Sequence, residues 1–494
     1  MKRTSLTTAV IAGIAGVAGI SNMASAVYLN QDGLGQVLIY PYYTVNNGND
    51  TIITVVNTTS QGKAIKVRFL EAYDSREVLD FNLYMSPFDV WTATVVPVGA
   101  GAGVFTQDNS CTVPKLPTTA ATAYAFSTYA FDGTVTANDG GPKTLSRTLE
   151  GYVELIEMGT VTDATKGTLD AITHSSGVPA NCSQVVKAWS GGGYWNTAPG
   201  TDIAPPSGGL FGDGLLVNVA LGTAAGFAAD AIDQFYLPTD PFTHHTAPSS
   251  LAPSISSATA TTSYVFAPGP TGTTPTLVTT TYAAGIDAVS SIFMADAIYN
   301  EYWTGGGTSA NSEWVVTFPT KRFYVDPTLT TVPLQPFDNL FTSASGGTSC
   351  APIGITFFDR EEGTSTTGVS FSPQPVFGNA LCYEAQVVTF NQSNVAGPGT
   401  TPSEILGSNL TANIETGFNN GWATLDLFGQ STAVHFLPTS YTIGSNNVFE
   451  GLPVTGFWMA QAINGDVGGD LANYTALYRH KIHRFCTAAG ATCS

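Results

Sequence analysis

Basic residues are scarce in this chain: 17 lysines and arginines among 494 residues, against 36 aspartates and glutamates. A formal net charge of −19 repels phosphate backbones and anionic lipid surfaces, so neither nucleic acid nor an acidic membrane is an expected partner. Charge of either sign is thin, at 11% of residues. Thr, Gly, Ala, Val and Ser fill the space, a composition suited to neutral, β-rich extracellular proteins. Catalytic signatures are missing too. The chain has no G-x-S-x-G, no H-E-x-x-H, and no S-x-x-K followed by its usual partners. No C-x-x-C pair occurs, which removes the common cysteine zinc sites. Beyond the N-terminal segment no run of about 20 apolar residues exists, so no transmembrane helix is expected.

What is present starts with an export signal. Lys2 and Arg3 give a positive start, residues 9–20 are apolar, and Ala24-Ser25-Ala26 supplies the small-x-small pattern of a cleavage site. The apolar run is short for a membrane span. Residues 1–26 are therefore expected to be a signal peptide. Six cysteines follow it: Cys111, Cys182, Cys350, Cys382, Cys486 and Cys493. An even count in an exported chain reads as disulfides, and the expected pairing is sequential, confining each bridge to one region.

Residues 35–97 carry the clearest pattern. Segments GQVLIYPYY, TIITVVN, KAIKVRFLEAY, REVLDFNLYM and DVWTATVVP are separated by turn signals. Ile65, Val67 and Phe69 alternate with Lys66 and Arg68, as a half-buried antiparallel strand requires. Pro41 implies an edge or a bend. Five strands cannot cover every sheet edge, so later strands are expected to join, GYVELIEM and GLLVNVAL being the candidates. In particular, Val153 and Leu155 should share a sheet or core with Ile65, Val67 and Phe69.

Residues 99–147 and 159–209 read as long irregular excursions, which a Cys111–Cys182 bridge would tie together. Residues 224–236 suggest a short Ala-rich helix. Residues 238–280, rich in Pro, Thr and Ser, form the sharpest composition break. The expected organisation is a β-sandwich-like domain at 27–237, a linker or surface loop at 238–280, and a second β-rich domain at 281–494. That domain would open with a helix at 286–303, marked by Ile286, Val289, Phe293 and Ala297. Strand signals resume at EWVVTF, KRFYV, GITFFD, CYEAQVVTF, GWATLDLF and FWMAQAI. The fold class expected is mainly β: antiparallel, immunoglobulin-like sandwich domains with long loops and one or two short helices. The ending FCTAAGATCS lacks the terminal aromatic usual in outer-membrane barrels.

Few residues could carry chemistry. Residues 99–103, GAGAG, superficially resemble a phosphate loop, but no Lys-Ser/Thr pair and no helix pattern follows; a turn is the better reading. His480 and His483 would share one face of a helix and could grip zinc, yet a third ligand is wanting and Arg479, Lys481 and Arg484 surround them. His244 and His245 should be exposed. Glu154 and Glu157 would fall on opposite strand faces, and Asp359, Glu361 and Glu362 look like a charged turn, so neither set forms a hydrolytic pair. Calcium is the more sensible ion for an acidic, exported β protein, with Asn464, Asp466 and Asp470, or Asn138 and Asp139, as oxygen donors; neither has the EF-hand spacing. Trp189, Tyr194 and Trp195, in WSGGGYW, could stack sugar rings, or could cover core beneath a loop, as large aromatics commonly do.

The segments GQVLIYPYYTVNNGNDTIITVVNTT, KAIKVRFLEAYDSREVLDFNLYMSPFDVWTATV, WVVTFPTKRFYVD and GLPVTGFWMAQAING resemble a group of exported proteobacterial cell-surface and hypothetical proteins. The resemblance implies export and β architecture and carries over no catalytic residue. The expected function is a non-enzymatic exported surface or extracellular protein, structural, matrix or adhesive. The alternative is a carbohydrate-binding or carbohydrate-hydrolysing one. No cofactor is expected. Partners would be surface or matrix proteins, or glycans, with self-association left open.

Overall fold

The computed structural model describes residues 26–134, 139–269, 274–304, 310–363, 380–391, 402–430, 433–442 and 445–487. The expected signal peptide, Asn138 and Cys493 fall outside the described residues, apart from Ala26. The chain is mainly β, 46% strand and 11% helix, in several antiparallel sheets with few short helices.

Two large sheets are built from the first half. One runs in the order Tyr28–Leu29, Asp230–Asp233, Val37–Thr44, Glu150–Val161, Gly62–Glu71, Glu77–Met85, Cys111–Val113. The other runs Thr223–Ala228, Leu210–Asn218, Asn49–Asn57, Val90–Val98, Gly101–Phe105, Tyr124–Ala125. Their facing residues, including Tyr40, Ile53, Val67, Trp91 and Leu155, pack into one buried cluster. The strands at 151–158 and 214–221 thus complete the early sheets as expected. Val153 lies opposite Phe69 and Leu155 opposite Val67, and all join the same core as Ile65. Pro41 sits in an interior strand, not at an edge. The register against Glu150–Val161 slips between Gly151 and Val153, and Asp230–Asp233 pairs only as far as Ile39, so no ladder bond needs the missing proline N–H.

Lys66 and Arg68 correct the half-buried reading: every residue of the Gly62–Glu71 strand is buried. The reason lies in the composition break. The 238–261 segment crosses the outer face of this sheet, and Ala247 and Pro248 offer carbonyls to Lys66 Nζ at 2.9 and 3.1 Å. Asn82 Nδ2 donates to Thr246 O at 2.8 Å. Buried cations then find buried acids: Lys66 with Asp80, Arg68 with Glu77 and Glu154, Lys63 with Glu157. The rest of the stretch folds as a hairpin, Thr262–Ala267 against Thr276–Thr281, whose Val265, Ala267 and Val278 enter the core.

The second half contributes a four-stranded sheet, Gly354–Asp359, Asn420–Asp426, Ala297–Trp303, Lys481–His483. A five-stranded sheet orders Thr411–Glu415, Ala385–Asn391, Ala310–Thr317, Thr455–Val467, Asp470–Arg479, and its first pair is parallel. Residues from both sides of 238–280 share the two largest buried clusters: Ile39 and Tyr152 with Trp314 and Leu425, and Val55 and Phe69 with Val387 and Phe457. Thr317 Oγ1 donates to Pro41 O at 2.6 Å, and Ala385 N to Ala72 O at 3.0 Å, across the same seam.

Three local expectations are corrected. Residues 224–236 form strands, because Thr223, Ala225 and Phe227 point inward while their neighbours face out, a period of two hidden in small residues. The helix starting near Ile286 stops at Phe293, and Ala297–Trp303 is a strand. KRFYV contributes a short helix, Arg322–Val325. Cys111–Cys182 and Cys350–Cys382 are bridged as expected. Cys486 is also disulfide-bonded.

Candidate functional site

None of the sequence-nominated sites gathers into a reactive centre. Glu154 and Glu157 each hold their own buried cation, Arg68 and Lys63. Asp359 accepts from the backbone of Glu361 and Gly363 at 2.9 and 2.6 Å, closing a turn. Gly99 and Ala100 form the turn between paired strands Val90–Val98 and Gly101–Phe105, and residues 101–103 open the second strand. Asn464, Asp466 and Asp470 belong to the hairpin between Thr455–Val467 and Asp470–Arg479. There Asp466 Oδ1 accepts from Gly469 N at 2.7 Å and Asn464 Nδ2 donates to Ala472 O at 3.1 Å. Asp139 is held by Arg147 at 2.9 Å.

His480 and His483 lie at the end of one strand and in the next rather than on a helix, and they diverge. His480 Nε2 meets Val315 O at 2.7 Å and Nδ1 meets Asn300 Nδ2 at 2.7 Å, so both ring nitrogens are occupied. Burial lowers its pKa to about 4, leaving a neutral ring. His483 pairs with Asp296 at 2.8 Å. Among the described residues no group of three or more His, Cys, Asp or Glu is placed to hold a metal ion.

The glycine-rich aromatics cover core. Trp195 has no exposure and stacks on Tyr84 with centroids 5.0 Å apart; Trp189 Nε1 donates to the Tyr84 hydroxyl at 2.8 Å. Tyr194 packs edge-on against Trp195. His245, expected to be exposed, is buried in the same cluster, Nδ1 facing Pro199 O at 2.7 Å, and burial lowers its pKa to about 4. His244 stacks on Tyr236.

A different aromatic surface is open. It grows from the Ala297–Trp303 strand, AIYNEYW, where period two sends Ile298 and Tyr302 into the core and Tyr299, Glu301 and Trp303 outward. Cross-strand pairing sets Trp422 opposite Glu301 and Lys481 opposite Tyr299. In the neighbouring sheet Trp458 lies opposite Tyr478, their rings stacked at 4.8 Å. Trp303 meets Trp458 edge-on at 6.4 Å, joining the two sheets. Together they line a groove of about 480 Å³. Trp422 is 42% and Tyr478 50% exposed, while Trp458, at 7%, forms the floor. Phe358 stacks beneath Trp422 at 4.7 Å and fixes its plane.

The groove therefore offers flat aromatic faces flanked by one carboxylate, Glu301, and one amine, Lys481. Rigid rings bind without ordering cost, and a few polar groups set orientation. Sequence reading missed this site because residues 286–303 were assigned to one helix; the alternation Tyr299, Glu301, Trp303 was the signal available. Comparison with family models, curated proteins and solved structures returns no match.

Proposed function

We propose that the protein is a non-enzymatic, exported surface or extracellular adhesive component that holds carbohydrate in the Trp303–Trp422–Trp458–Tyr478 groove. The supporting observation is the open, pre-stacked aromatic surface with Glu301 and Lys481 at its margin, since sugar rings present an apolar face to such platforms and hydroxyls to such margins. Hydrolysis of a glycoside needs two carboxyl groups about 5 to 9 Å apart across the bond. Among the described groove residues Glu301 is the one acid, which favours binding over cleavage. Export, suggested by the leader-like start and by disulfides that persist in oxidising compartments, belongs to the same proposal. So do an immunoglobulin-like description of the paired sheets and the resemblance to exported cell-surface proteins. Among the described residues no helix is long and apolar enough to cross a membrane.

The test is a glycan array on the purified full chain, followed by calorimetry on hits with the wild type, Trp422→Ala and Tyr478→Ala. Both variants truncate exposed rings and should fold normally while losing tenfold or more in affinity, ~1.4 kcal/mol or above. An array without hits, or hits that neither variant weakens, would overturn the reading. Release of reducing sugar from a bound glycan would replace binding with hydrolysis. Cell fractionation with immunogold labelling tests export: label confined to the cytoplasm would refute it.

A further inference from the structure

At the seam between the two halves lies a second cavity, of about 260 Å³, remote in character from the aromatic groove. One wall comes from the first half, around Phe227 and Asp230; the other from Phe293, Thr455 and the 479–484 segment. Its volume sits just below the ~300 Å³ at which drug-sized ligand sites begin, which suits a compact molecule.

The charges facing it do not balance. Arg479 and Arg484 supply two cations. Asp230 supplies one anion, and it is already engaged: Thr455 Oγ1 donates to it and Arg479 lies at 3.7 Å. His480 adds no charge, because both ring nitrogens are occupied and its pKa is lowered to about 4. Asp296, the other acid acting on Arg484, is paired with His483 at 2.8 Å. Asp230 and Asp296 act on Arg484 only from a distance, and among the described residues neither forms an ion pair with its guanidinium. Its Nη2 makes one long bond, 3.3 Å to Ile292 O, and its buried Nε has no hydrogen-bond partner. A guanidinium carries five donors in a planar fork shaped for a carboxylate, and one bond among the described residues, with Nε sealed and unpartnered, leaves the Arg484 fork under-coordinated beside the cavity it lines.

Gly456 keeps the cavity wall where it is. At φ +139°, a Cβ there would meet Val315 O at 2.0 Å and His480 Nε2 at 2.9 Å. The strand can thus approach the Val315 backbone and the His480 ring only as glycine.

We infer that this seam cavity binds a small organic monoanion, a carboxylate with an apolar body. The head lies on the Arg484 guanidinium and the body lies against Phe227 and Phe293. One net positive charge calls for one negative charge. The phenyl-lined remainder disfavours inorganic phosphate, which has no apolar part to bury.

The experiment is calorimetry on the full wild-type chain at low salt with benzoate, its neutral isostere benzamide, and inorganic phosphate. Benzoate should bind at least tenfold more tightly than either of the others, and Arg484→Gln should weaken benzoate at least tenfold. Arg479→Gln, at a side chain 63% exposed, removes the second cation without touching the core and should weaken benzoate several-fold. No heat with benzoate up to about 20 mM, equal binding of benzoate and benzamide, or tighter binding of phosphate would each overturn the inference. So would benzoate affinity unchanged in Arg479→Gln and Arg484→Gln. The wild-type ligand series decides the matter even where Arg484→Gln does not fold.

Discussion

Arg147 is the side chain whose loss should cost the fold most for a single charge. Its guanidinium grips Glu71 bidentately, Nη2 to Oε1 at 2.9 Å and Nε to Oε2 at 3.2 Å, donates to Asp139 at 2.9 Å, and also contacts Asp74. It lies 4.1 Å over Phe131, and all of these acids have fully buried side chains. Arg147→Met keeps most of the volume, leaves Glu71 without its ion-pair partner, and leaves Asp74 and Asp139 with Arg76 alone, at 3.5 and 3.6 Å. Burial pushes Glu71 up, yet Arg147 overrides it and holds the pKa at about 2 instead of 4.5. Breaking a buried ion pair by removing one partner costs about 3–5 kcal/mol in general, which sets the loss expected at neutral pH. The sign follows from linkage. A depressed carboxyl stabilises above its unfolded pKa, and that stability is lost as pH falls from 4.5 through about 2. In the variant the carboxyls of this cluster escape by taking up protons, so the gap from wild type should be largest at pH 7 and shrink toward pH 4. The assay is urea unfolding followed by tryptophan fluorescence, for Arg147→Met, Glu71→Gln and the pair. The double variant should recover part of the loss of Arg147→Met, because it removes the charge that has lost its ion-pair partner. A loss below ~1 kcal/mol at pH 7, or one constant from pH 7 to 4, would refute this account of the Arg147 cluster.

Three further outcomes are expected. Glu384 is pushed up to about 8, chiefly by burial, and its raised pKa favours the fold fully below pH 4.5 and progressively less as pH rises through about 8. Glu384→Gln, which can still accept from Ser75 Oγ, should therefore raise the urea midpoint at pH 8 and have little effect at pH 5; a gain that does not grow with pH would contradict it. Replacing Cys111 and Cys182 together by serine opens a link across 71 residues and should cost roughly 4 kcal/mol by loop-closure entropy, read as a lower unfolding midpoint; an unchanged midpoint would show that the bridge adds nothing. His245→Phe should leave far-ultraviolet dichroism intact but shift tryptophan emission, since the ring packs 4.6 Å from Trp195 and 4.9 Å from Trp189; an unmoved spectrum would place the cluster elsewhere.

The early strands were legible because alternation there is written in large apolar residues. Ile65, Val67 and Phe69 fix which face is inside, and the pairing with Val153 and Leu155 followed from the need to cover an edge. What covers the other face was not legible. Lys66 and Arg68 look like solvent positions until backbone carbonyls and acids from distant segments close over them, and no local pattern announces that. The helix near 286 was visible, but its end was not. Ala297 continues the helical spacing of Ile286, Val289 and Phe293 by coincidence, while Met294 already has extended backbone. Residues 224–236 failed in the opposite way, their alternation muted by alanine and glycine.

The aromatic groove shows why a site can be invisible while its parts are plain. Its residues come from five separate strand segments, so what assembles them is register, and a slip of one residue in Ala297–Trp303 would exchange the two faces. The inner residues make that slip costly. Asn300 is tied to His480 at 2.7 Å, the Tyr302 hydroxyl donates to Phe358 O at 3.2 Å, and Ile298 is fully buried. Tyr299, Glu301 and Trp303 are thereby held outward, although of the three only the Glu301 carboxylate gains from water by itself. His480 extends the same constraint to the other cavity, since the ring that fixes Asn300 also lines the pocket of Arg484. One neutral imidazole, held at both ring nitrogens, thus fixes the register behind the aromatic groove and forms part of the wall of the seam cavity.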